Sequence, residues 1–410
     1  MQKEIRVLYI SYDGMTDPLG ESQVIPYLRE LSKKGVKISI LSAEKPEVFH
    51  KRQKYIKASL DKYNITWHPI MYTKSPPVLS TLKDIRKLKK AAKNIYIKEP
   101  FDIVHCRSYI SAFAGVYLKK KFGVKFLFDM RGFYADERVD GNLWPQSNPV
   151  FKRVYKYFKK KEKEFFSAAD HTISLTYAGR NIIHKMPGLG NIPIDVIPCC
   201  ADMEHFNFNS SSNSVINSLR KELAITEDDY VLSYLGSIGT WYMPNEMMTF
   251  FKTLLITKPE AKFLIITRDN PDIINNLIEQ HNIPKEKIII RPANREEVPN
   301  LLALSNVSIF FIKPVFSKKA SSPTKLAELL GMGIPVVCNS NVGDIDKFVP
   351  ENNLGIMIDS ISIDSYIQAC KEIENLEKIN KNHLRNVACE LFSLNGGSET
   401  YYKVYKTLID

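Results

Sequence analysis

The sequence predicts an α/β protein with two Rossmann-like domains, each a parallel sheet with helices on both faces. Short apolar runs with the length of buried strands alternate with longer amphipathic stretches of helical period. The alternation occurs in two successive series along the chain. A chain of 410 residues also exceeds the usual size of a single hydrophobic core. Together these observations favour two domains over one.

The predicted strands are separated by stretches long enough to hold a crossover helix. The first series comprises residues 7–10, 36–41, 103–105, 126–128, 171–175 and 196–197. The second comprises residues 231–235, 263–267, 288–290, 307–312, 335–338 and 355–358. Between them, residues 206–218 are rich in Asn and Ser, which is typical of a flexible connection. We therefore place the domains at residues 1–200 and 201–396.

Residues 397–410 are predicted to form a C-terminal helix that belongs with the first domain. Tyr401, Tyr402, Val404 and Tyr405 form an apolar stripe within this segment. A stripe of this kind on a terminal helix needs a partner surface, and we expect the helix to dock on the first domain.

The composition narrows the class of protein. A formal net charge of +12 favours an anionic partner, such as a phosphorylated ligand or an anionic lipid surface. Nucleic acid is disfavoured because no known nucleic-acid-binding motif is present. The six cysteines lack the spacing of a zinc site, so we interpret them as reduced core thiols. Residues 1–10 do not resemble a leader and no run could span a bilayer, which predicts a cytoplasmic protein.

The most informative segment is residues 320–331, ASSPTKLAELLG. Ser322 suits a helix N-cap, Pro323 the first turn, and Gly331 or Gly333 the end. Lys325 then lies in the first turn, where a cation opposes the helix dipole unless an anion binds there. Free N–H groups and this ammonium together predict a diphosphate site.

Glu328 lies three residues after Lys325 on the same helix face, about 4.5 Å along the axis. Its carboxylate could accept hydrogen bonds from ribose hydroxyls while the helix start holds phosphate. The alternative is a Lys/Glu pair on a solvated helix face.

Two glycine-containing loops follow predicted first strands, where open α/β sheets bind ligands. In the second domain, Gly236, Ser237 and Gly239 follow residues 231–235, and glycine permits close approach to a phosphate. In the first domain, the loop of residues 13–23 carries Gly14, Thr16, Asp17, Gly20 and Gln23. Ordinary connecting turns are the alternative for both.

Two basic stretches have helical spacing, residues 83–98 and 151–166. Both combine lysines with aliphatic or aromatic residues, which favours binding to an anionic membrane surface. A solvated helix packed on the core by its apolar stripe is the alternative.

These motifs, taken together, resemble glycosyltransferase family 4, the retaining enzymes of the GT-B fold that build capsules, O-antigens and glycolipids. The resemblance covers nearly the whole chain. It is carried by residues 16–23 (TDPLGESQ), 101–105, 128–132, 169–171, 196–206, 234–237, 322–328 and 333–337.

The resemblance implies two Rossmann-like domains facing across a cleft, with the donor on the second domain. The donor would be a UDP- or GDP-linked sugar, and neither metal nor cofactor would be needed. The acceptor would be a polysaccharide or a lipid-linked glycan, used at the inner face of the cell membrane. The implied donor-binding residues are Gly236, Ser237, Gly239, Arg268, Ser321, Ser322, Pro323, Thr324, Lys325, Leu326 and Glu328.

The chain also departs from the family's pattern. The family has two glutamates separated by seven residues, and Glu328 matches the second, while Ala320 replaces the first. Trp241 and Tyr242 replace the usual Arg and Lys after the glycine loop, so Lys325 and Arg268 are expected to supply positive charge.

The resemblance also assigns residues of the first domain. Asp129 and Arg131 stand where many relatives carry a His near the reacting sugar, and we assign them with Lys325 as catalytic residues. The alternative interpretation of Asp129 and Arg131 is a structural salt bridge beside a core strand. The acceptor side would comprise the residues 13–23 loop and His105. A nucleotide-sugar epimerase of the same fold is the alternative function, and the sugar, the base and the acceptor stay open.

Overall fold

The computed structural model describes residues 4–76 and 78–410. Residues 1–3, the beginning of the predicted N-terminal segment, lie outside the described residues, as does residue 77. The chain divides into two compact units. The first unit comprises Met1–Pro198 and Leu394–Asp410, and the second comprises Cys199–Ser393. The sequence had placed these divisions at residues 200 and 396.

The first unit contains a seven-stranded parallel sheet with the order β3-β2-β1-β4-β5-β6-β7. Its strands are β1 Arg6–Ser11, β2 Lys37–Glu44, β3 Thr66–Met71, β4 Ile103–Arg107, β5 Lys125–Asp129, β6 His171–Ser174 and β7 Ile194–Val196. The sequence did not predict β3. This strand is at the sheet edge and has no buried residue, so it lacks the apolar run that marks the others.

Helices cover the sheet of the first unit. They are α1 Pro18–Gln23, α2 Ile25–Lys33, α3 Pro46–Asp61, α4 Leu79–Lys98, α5 Ser108–Phe122, α6 Tyr134–Asp140, α7 Pro149–Ala168 and α8 Tyr177–His184. The two basic stretches form α4 and α7, as predicted. The interpretation of residues 13–23 as one loop was wrong for its second half, because Pro18 begins a helix whose first φ angle proline already favours.

The second unit contains a six-stranded parallel sheet with the order β10-β9-β8-β11-β12-β13. Its strands are β8 Val231–Leu235, β9 Lys262–Ile266, β10 Ile288–Arg291, β11 Val307–Phe310, β12 Val336–Asn339 and β13 Gly355–Ile358. Its helices are α9 Asn213–Glu222, α10 Pro244–Thr257, α11 Pro271–His281, α12 Val298–Leu302, α13 Thr324–Gly331, α14 Ile345–Glu351, α15 Ile363–Glu377 and α16 Lys381–Phe392. In both sheets the strand order reverses beside the first strand, where ligands of such folds bind.

The prediction of a flexible connection at residues 206–218 was wrong. The segment lies inside the second unit, and its second half begins α9. Ser212 caps this helix by accepting a hydrogen bond from the Val215 N–H. Ser and Asn are common in flexible segments and at helix starts alike, so composition could not separate the two.

The C-terminal helix, α17 Leu394–Ile409, is part of the first unit, as predicted. Tyr401, Val404 and Tyr405 are buried, and α17 packs on α2. Burial of this stripe removes apolar surface from water and holds the end of the chain on the first unit.

The six cysteines are free thiols, and five of them are buried. The exception is Cys389, which is exposed on α16, so the interpretation as a core thiol was wrong there. Over residues 4–76 and 78–410, no helix has the length and apolarity needed to cross a bilayer.

Candidate active site

The second unit buries a lysine between two tyrosine rings. Lys325, the second residue of α13, is only 6% exposed. Its Nζ lies 3.7 Å from the ring centroid of Tyr242 and 4.2 Å from that of Tyr234. Among the described residues this ammonium has no hydrogen-bond acceptor. Burial lowers the pKa of Lys325 well below its ordinary value, which the nearby carboxylate of Glu328 opposes.

The glycine loop and the lysine meet directly. Gly236 follows β8 with φ of +119°, a backbone conformation that disfavours side chains. A Cβ at this position would lie 3.2 Å from the Lys325 Nζ. The structure therefore brings together Gly236 and Lys325, two of the residues assigned to donor binding.

The start of α13 differs from the prediction. Ser322 does not cap the helix, because its hydroxyl accepts a hydrogen bond from the Cys199 N–H at 3.1 Å. The helix begins at Thr324, after Pro323, which has no capping side chain to offer. Within the described chain, the N–H groups of Thr324 and Lys325 have no acceptor. An uncapped start leaves these donors available to an anion.

Glu328 stands one turn further along α13 with its side chain 13% exposed. The nearest basic group is Arg295, whose Nη1 lies 3.8 Å from the Glu328 Oε1. Burial raises the pKa of Glu328 to about 7, against the lowering effects of Arg295 and Lys325. The carboxyl group is thus near its titration midpoint at neutral pH.

Two aromatic residues stand where the family usually has cations. The Trp241 carbonyl accepts a hydrogen bond from Lys313, and Tyr242 pairs with Ile312 just beyond β11. The Tyr242 ring contacts Lys325, and the Lys318 Nζ lies 3.7 Å from the Trp241 ring centroid. Lys318 is buried, and the sequence analysis did not identify it. The Trp241 and Tyr242 rings each contact a lysine from a distant segment of the chain, and only the folded structure shows these contacts.

The remaining donor-side assignments occupy different surroundings. Arg268 is exposed and donates to the Ala293 carbonyl and to the Asn294 side chain, beyond β10. The next residue, Asp269, accepts a hydrogen bond from the Ile238 N–H of the glycine loop. Leu326 is buried in the hydrophobic core of the unit. The other assigned residues of the glycine loop and of the segment that leads into α13 are partly or fully exposed; they are Ser237, Gly239, Ser321, Pro323 and Thr324.

In the first unit, a buried glutamate organises the loop after β1. The Glu44 carboxylate accepts hydrogen bonds from the N–H groups of Met15 and Thr16 and from the Thr16 hydroxyl, at 2.7, 3.1 and 2.6 Å. A Cβ on Gly14 would lie 2.7 Å from this carboxylate, and one on Gly20 would lie 2.3 Å from the Gly14 carbonyl oxygen. Gly14, Thr16 and Gly20 therefore shape the loop, a role that the sequence alone did not reveal.

The other residues assigned near this loop are held by the unit as well. Asp17 lies 3.0 Å from the Lys45 ammonium. Gln23 is buried and lines a small cavity with Tyr27 and Tyr401. His105 was assigned to the acceptor-side loop, but it lies within β4 and is buried. Its Nδ1 is 2.7 Å from the Tyr405 hydroxyl, because α17 covers this part of the sheet.

Asp129 and Arg131 lie at the end of β5. The Arg131 Nη1 is 3.8 Å from the Asp129 Oδ1, and Tyr401 donates to the Asp129 Oδ2 at 3.0 Å. Burial would raise the pKa of Asp129, but Arg131 above all holds it below its usual range. Arg131 has φ of +58°, a strained conformation of the kind found at functional sites. The two residues form a charged pair at the carboxyl edge of the sheet, with little exposure of either side chain.

The described residues contain no group of three His, Cys, Asp or Glu side chains that could hold a metal ion. The expectation of metal-independent activity rests on the cations and N–H groups described above, and it stays a prediction.

Family comparisons agree with this architecture. Residues 21–205 match the model of Glycosyltransferase Family 4, and residues 215–388 match that of Glycosyl transferases group 1. No curated protein sequence matches the chain significantly.

Solved structures share the fold over nearly the whole chain. Sucrose-phosphate synthase from Thermosynechococcus elongatus has a TM-score of 0.73 at 15% identity, covering 99% of both chains. Anabaena HepE in complex with UDP-glucose has a TM-score of 0.69 at 12% identity, and the match covers 98% of this chain and 100% of HepE. A proposed UDP-N-acetylglucosamine 2-epimerase from Listeria monocytogenes has a TM-score of 0.62 at 12% identity, and the match covers 100% of this chain and 97% of the epimerase. Because both family models name transferases, this chain belongs to the family 4 type of glycosyltransferase and has the GT-B fold.

Proposed function

We propose that the protein transfers a sugar from a nucleotide diphosphate to a lipid-linked or polysaccharide acceptor, with retention of anomeric configuration. The observation that carries this proposal is the buried, unpaired ammonium of Lys325 at the uncapped start of α13. A buried charge is costly unless a counter-ion joins it, and a diphosphate supplies one.

The chemistry follows from this placement. As the bond between sugar and diphosphate breaks, negative charge grows on the leaving phosphate oxygens. Fixed positive charge that is already desolvated stabilises that charge without reorganisation. Lys325 and the free N–H groups of α13 supply it, and Glu328 one turn away accepts hydrogen bonds from the ribose. The complex of HepE with UDP-glucose supports a nucleotide sugar as donor.

Retention and the acceptor class rest on the family resemblance. The proposed catalytic roles of Asp129 and Arg131 rest on the same resemblance. The basic helices α4 and α7 support an acceptor at an anionic membrane surface, and hence a role in cell-surface glycan synthesis at the inner face of the membrane. The proposed donor is a sugar linked to UDP or GDP.

A nucleotide panel tests the donor. The Tm is measured with UDP-, GDP-, ADP- and CMP-linked sugars, each with EDTA and with magnesium. We expect one nucleoside diphosphate series to raise the Tm, and turnover to persist in EDTA. A stabilisation that appears only with magnesium would contradict metal independence, and a chain that binds none of the four would contradict the donor assignment.

Product analysis separates transfer from epimerisation. The protein is incubated with the stabilising nucleotide sugar, without and then with a membrane extract, and the sugar is followed by NMR. Sugar moved to an extract component with unchanged anomeric configuration supports the proposal. An epimeric nucleotide sugar formed without extract would support the epimerase instead.

A further inference from the structure

The ends of four neighbouring strands lie in a row at the carboxyl edge of the first unit's sheet. Arg107 is the register partner of Ser11 on one side and of Asp129 on the other, and Asp129 is the partner of Ile173. The backbone continues this pairing beyond β5, where the Met130 N–H donates to the Ile173 carbonyl. The segments that follow β1, β4, β5 and β6 therefore leave the sheet at the same edge.

An arginine lies at the end of one of these strands and beyond the end of two others. Arg107 ends β4, Arg131 comes two residues after β5, and Arg180 lies in the first turn of α8, after β6. The Arg107 Nε is 3.4 Å from the Asp13 Oδ2. Arg131 is beside Asp129, as described above. A carboxylate thus accompanies two of the three guanidinium groups.

Arg180 is different. Its guanidinium carbon lies 4.9 Å from the ring centroid of Tyr177, but no described carboxylate lies within ion-pair distance. Its Nε is buried and has no hydrogen-bond partner among the described residues. A cation in the first turn also opposes the dipole of its own helix. Each of these three features is unfavourable unless an anion binds beside Arg180.

We propose that Arg180, with Arg131 just beyond the neighbouring strand β5, binds a phosphate group of the acceptor. A guanidinium presents a planar fork of donors that matches phosphate oxygens two at a time, and a phosphate accommodates two such forks. The site deepens the proposed function, on which it rests, by naming an acceptor that carries phosphate close to the hydroxyl that receives the sugar.

Binding measurements with simple probes test this site. Farnesyl phosphate, farnesol and inorganic phosphate are titrated by calorimetry at low ionic strength. All proteins carry Lys325→Met, which weakens phosphate binding at the donor site. Arg180→Gln removes the charge, Arg180→Lys keeps the charge but not the fork, and Arg6→Gln is the control, because Arg6 is an exposed arginine of the same unit at the opposite edge of the sheet, where β1 begins.

We expect farnesyl phosphate to bind about ten-fold tighter than farnesol, and Arg180→Gln to abolish that difference. Arg180→Lys should give an intermediate difference, and Arg6→Gln should leave the difference intact. Inorganic phosphate that binds as tightly as farnesyl phosphate, and is lost in Arg180→Gln, would support the phosphate site with a soluble source.

Equal binding of farnesyl phosphate by the Arg180→Gln and Arg6→Gln proteins would overturn the proposal. A far-UV spectrum and Tm matching the parent show that the variants are folded. The failure is distinguishable from failure of the proposed function, because nucleotide binding by the protein with Lys325 intact is measured separately in the panel above.

Discussion

At the residue scale, Lys325 shows how a site can be recognised from what its side chain lacks. A lysine of this burial is usually hydrogen-bonded to a carboxylate, whereas Lys325 has two tyrosine rings and no hydrogen-bond acceptor among the described residues. The rings stabilise the ammonium through their quadrupoles but do not neutralise it. The fold thus places a desolvated amino group where we propose that the leaving diphosphate binds.

Lys325→Met should separate stability from catalysis. Removing the buried cation also removes the opposition to the helix dipole, so the variant should unfold at the same denaturant concentration as wild type or a higher one. Turnover should fall more than donor affinity, because the charge acts mainly on the leaving group. Chemical denaturation and steady-state kinetics measure the two effects. A variant that unfolds earlier yet keeps normal kcat would show that Lys325 has a structural role.

Glu328→Gln should change the pH dependence of stability in a defined direction. The pKa of Glu328 is raised from its usual range near 4.5 to about 7, so the folded state retains a proton that the unfolded state loses. The folded wild type is therefore destabilised as pH rises from about 4.5 to 7. The variant lacks this loss, and its stability relative to wild type should increase over the same interval and then level off.

The same substitution should weaken donor binding. A neutral amide makes weaker hydrogen bonds to ribose hydroxyls than a carboxylate, so the affinity at pH 8 should fall by about 1.5–3 kcal/mol. Nucleotide titration at pH 8 measures this affinity, and chemical denaturation at a series of pH values measures the stability effect, with exposed Glu296→Gln as the matched control in both. Unchanged affinity at pH 8 would remove Glu328 from the donor site.

At the scale of elements, the basic helices divide their lysines between two uses. Lys87 on α4 donates to the Met71 carbonyl, Thr73 and Asp84. On α7, the Lys159 Nζ lies 2.7 Å from Asp136 and contacts the buried Glu162. These lysines hold the unit together, so not every lysine of the two stretches is available to a membrane. Lys90 and Lys160 are exposed, and Leu82 and Tyr157 nearby on the same helices are also exposed.

Binding to anionic vesicles should therefore depend on the exposed lysines. The double variant Lys90→Gln/Lys160→Gln should lose about 2 kcal/mol of affinity for vesicles rich in phosphatidylserine, because each lysine near such a surface contributes about 1 kcal/mol. Vesicle sedimentation at two salt concentrations measures it. The control Lys347→Gln/Lys371→Gln removes the same charge from exposed positions of the second unit. An equal loss in the control would mean that net charge alone drives binding.

At the scale of the whole molecule, each unit repeats one arrangement with different side chains. In each unit a loop follows the first strand of a parallel sheet, at the point where the strand order reverses. In the second unit that loop meets the buried cation of α13, and in the first unit it is anchored by the carboxylate of Glu44. The shared fold fixes where ligands can bind, and the side chains at each edge decide which chemistry is carried out there.

The sequence determined the fold class, twelve of the thirteen strands in outline, the two basic helices and the return of the C-terminal helix. These features depend on the period of apolar residues and on local propensity, which a sequence displays directly. Its spacing also predicted that Gly236 follows a strand and that Lys325 and Glu328 lie three residues apart on one helix, as α13 shows.

Only the tertiary structure decided which partners these residues have. Lys318 is far from Trp241 in sequence, Glu44 belongs to another strand than the loop it anchors, and Ser322 bonds to Cys199 instead of capping α13. The unpaired state of Arg180 is likewise a property of its surroundings. Contacts of this kind join segments that are brought together by sheet order and packing. Local sequence carries no record of them, so burial and pairing, and with them the charge state of each site, emerge only in the folded chain.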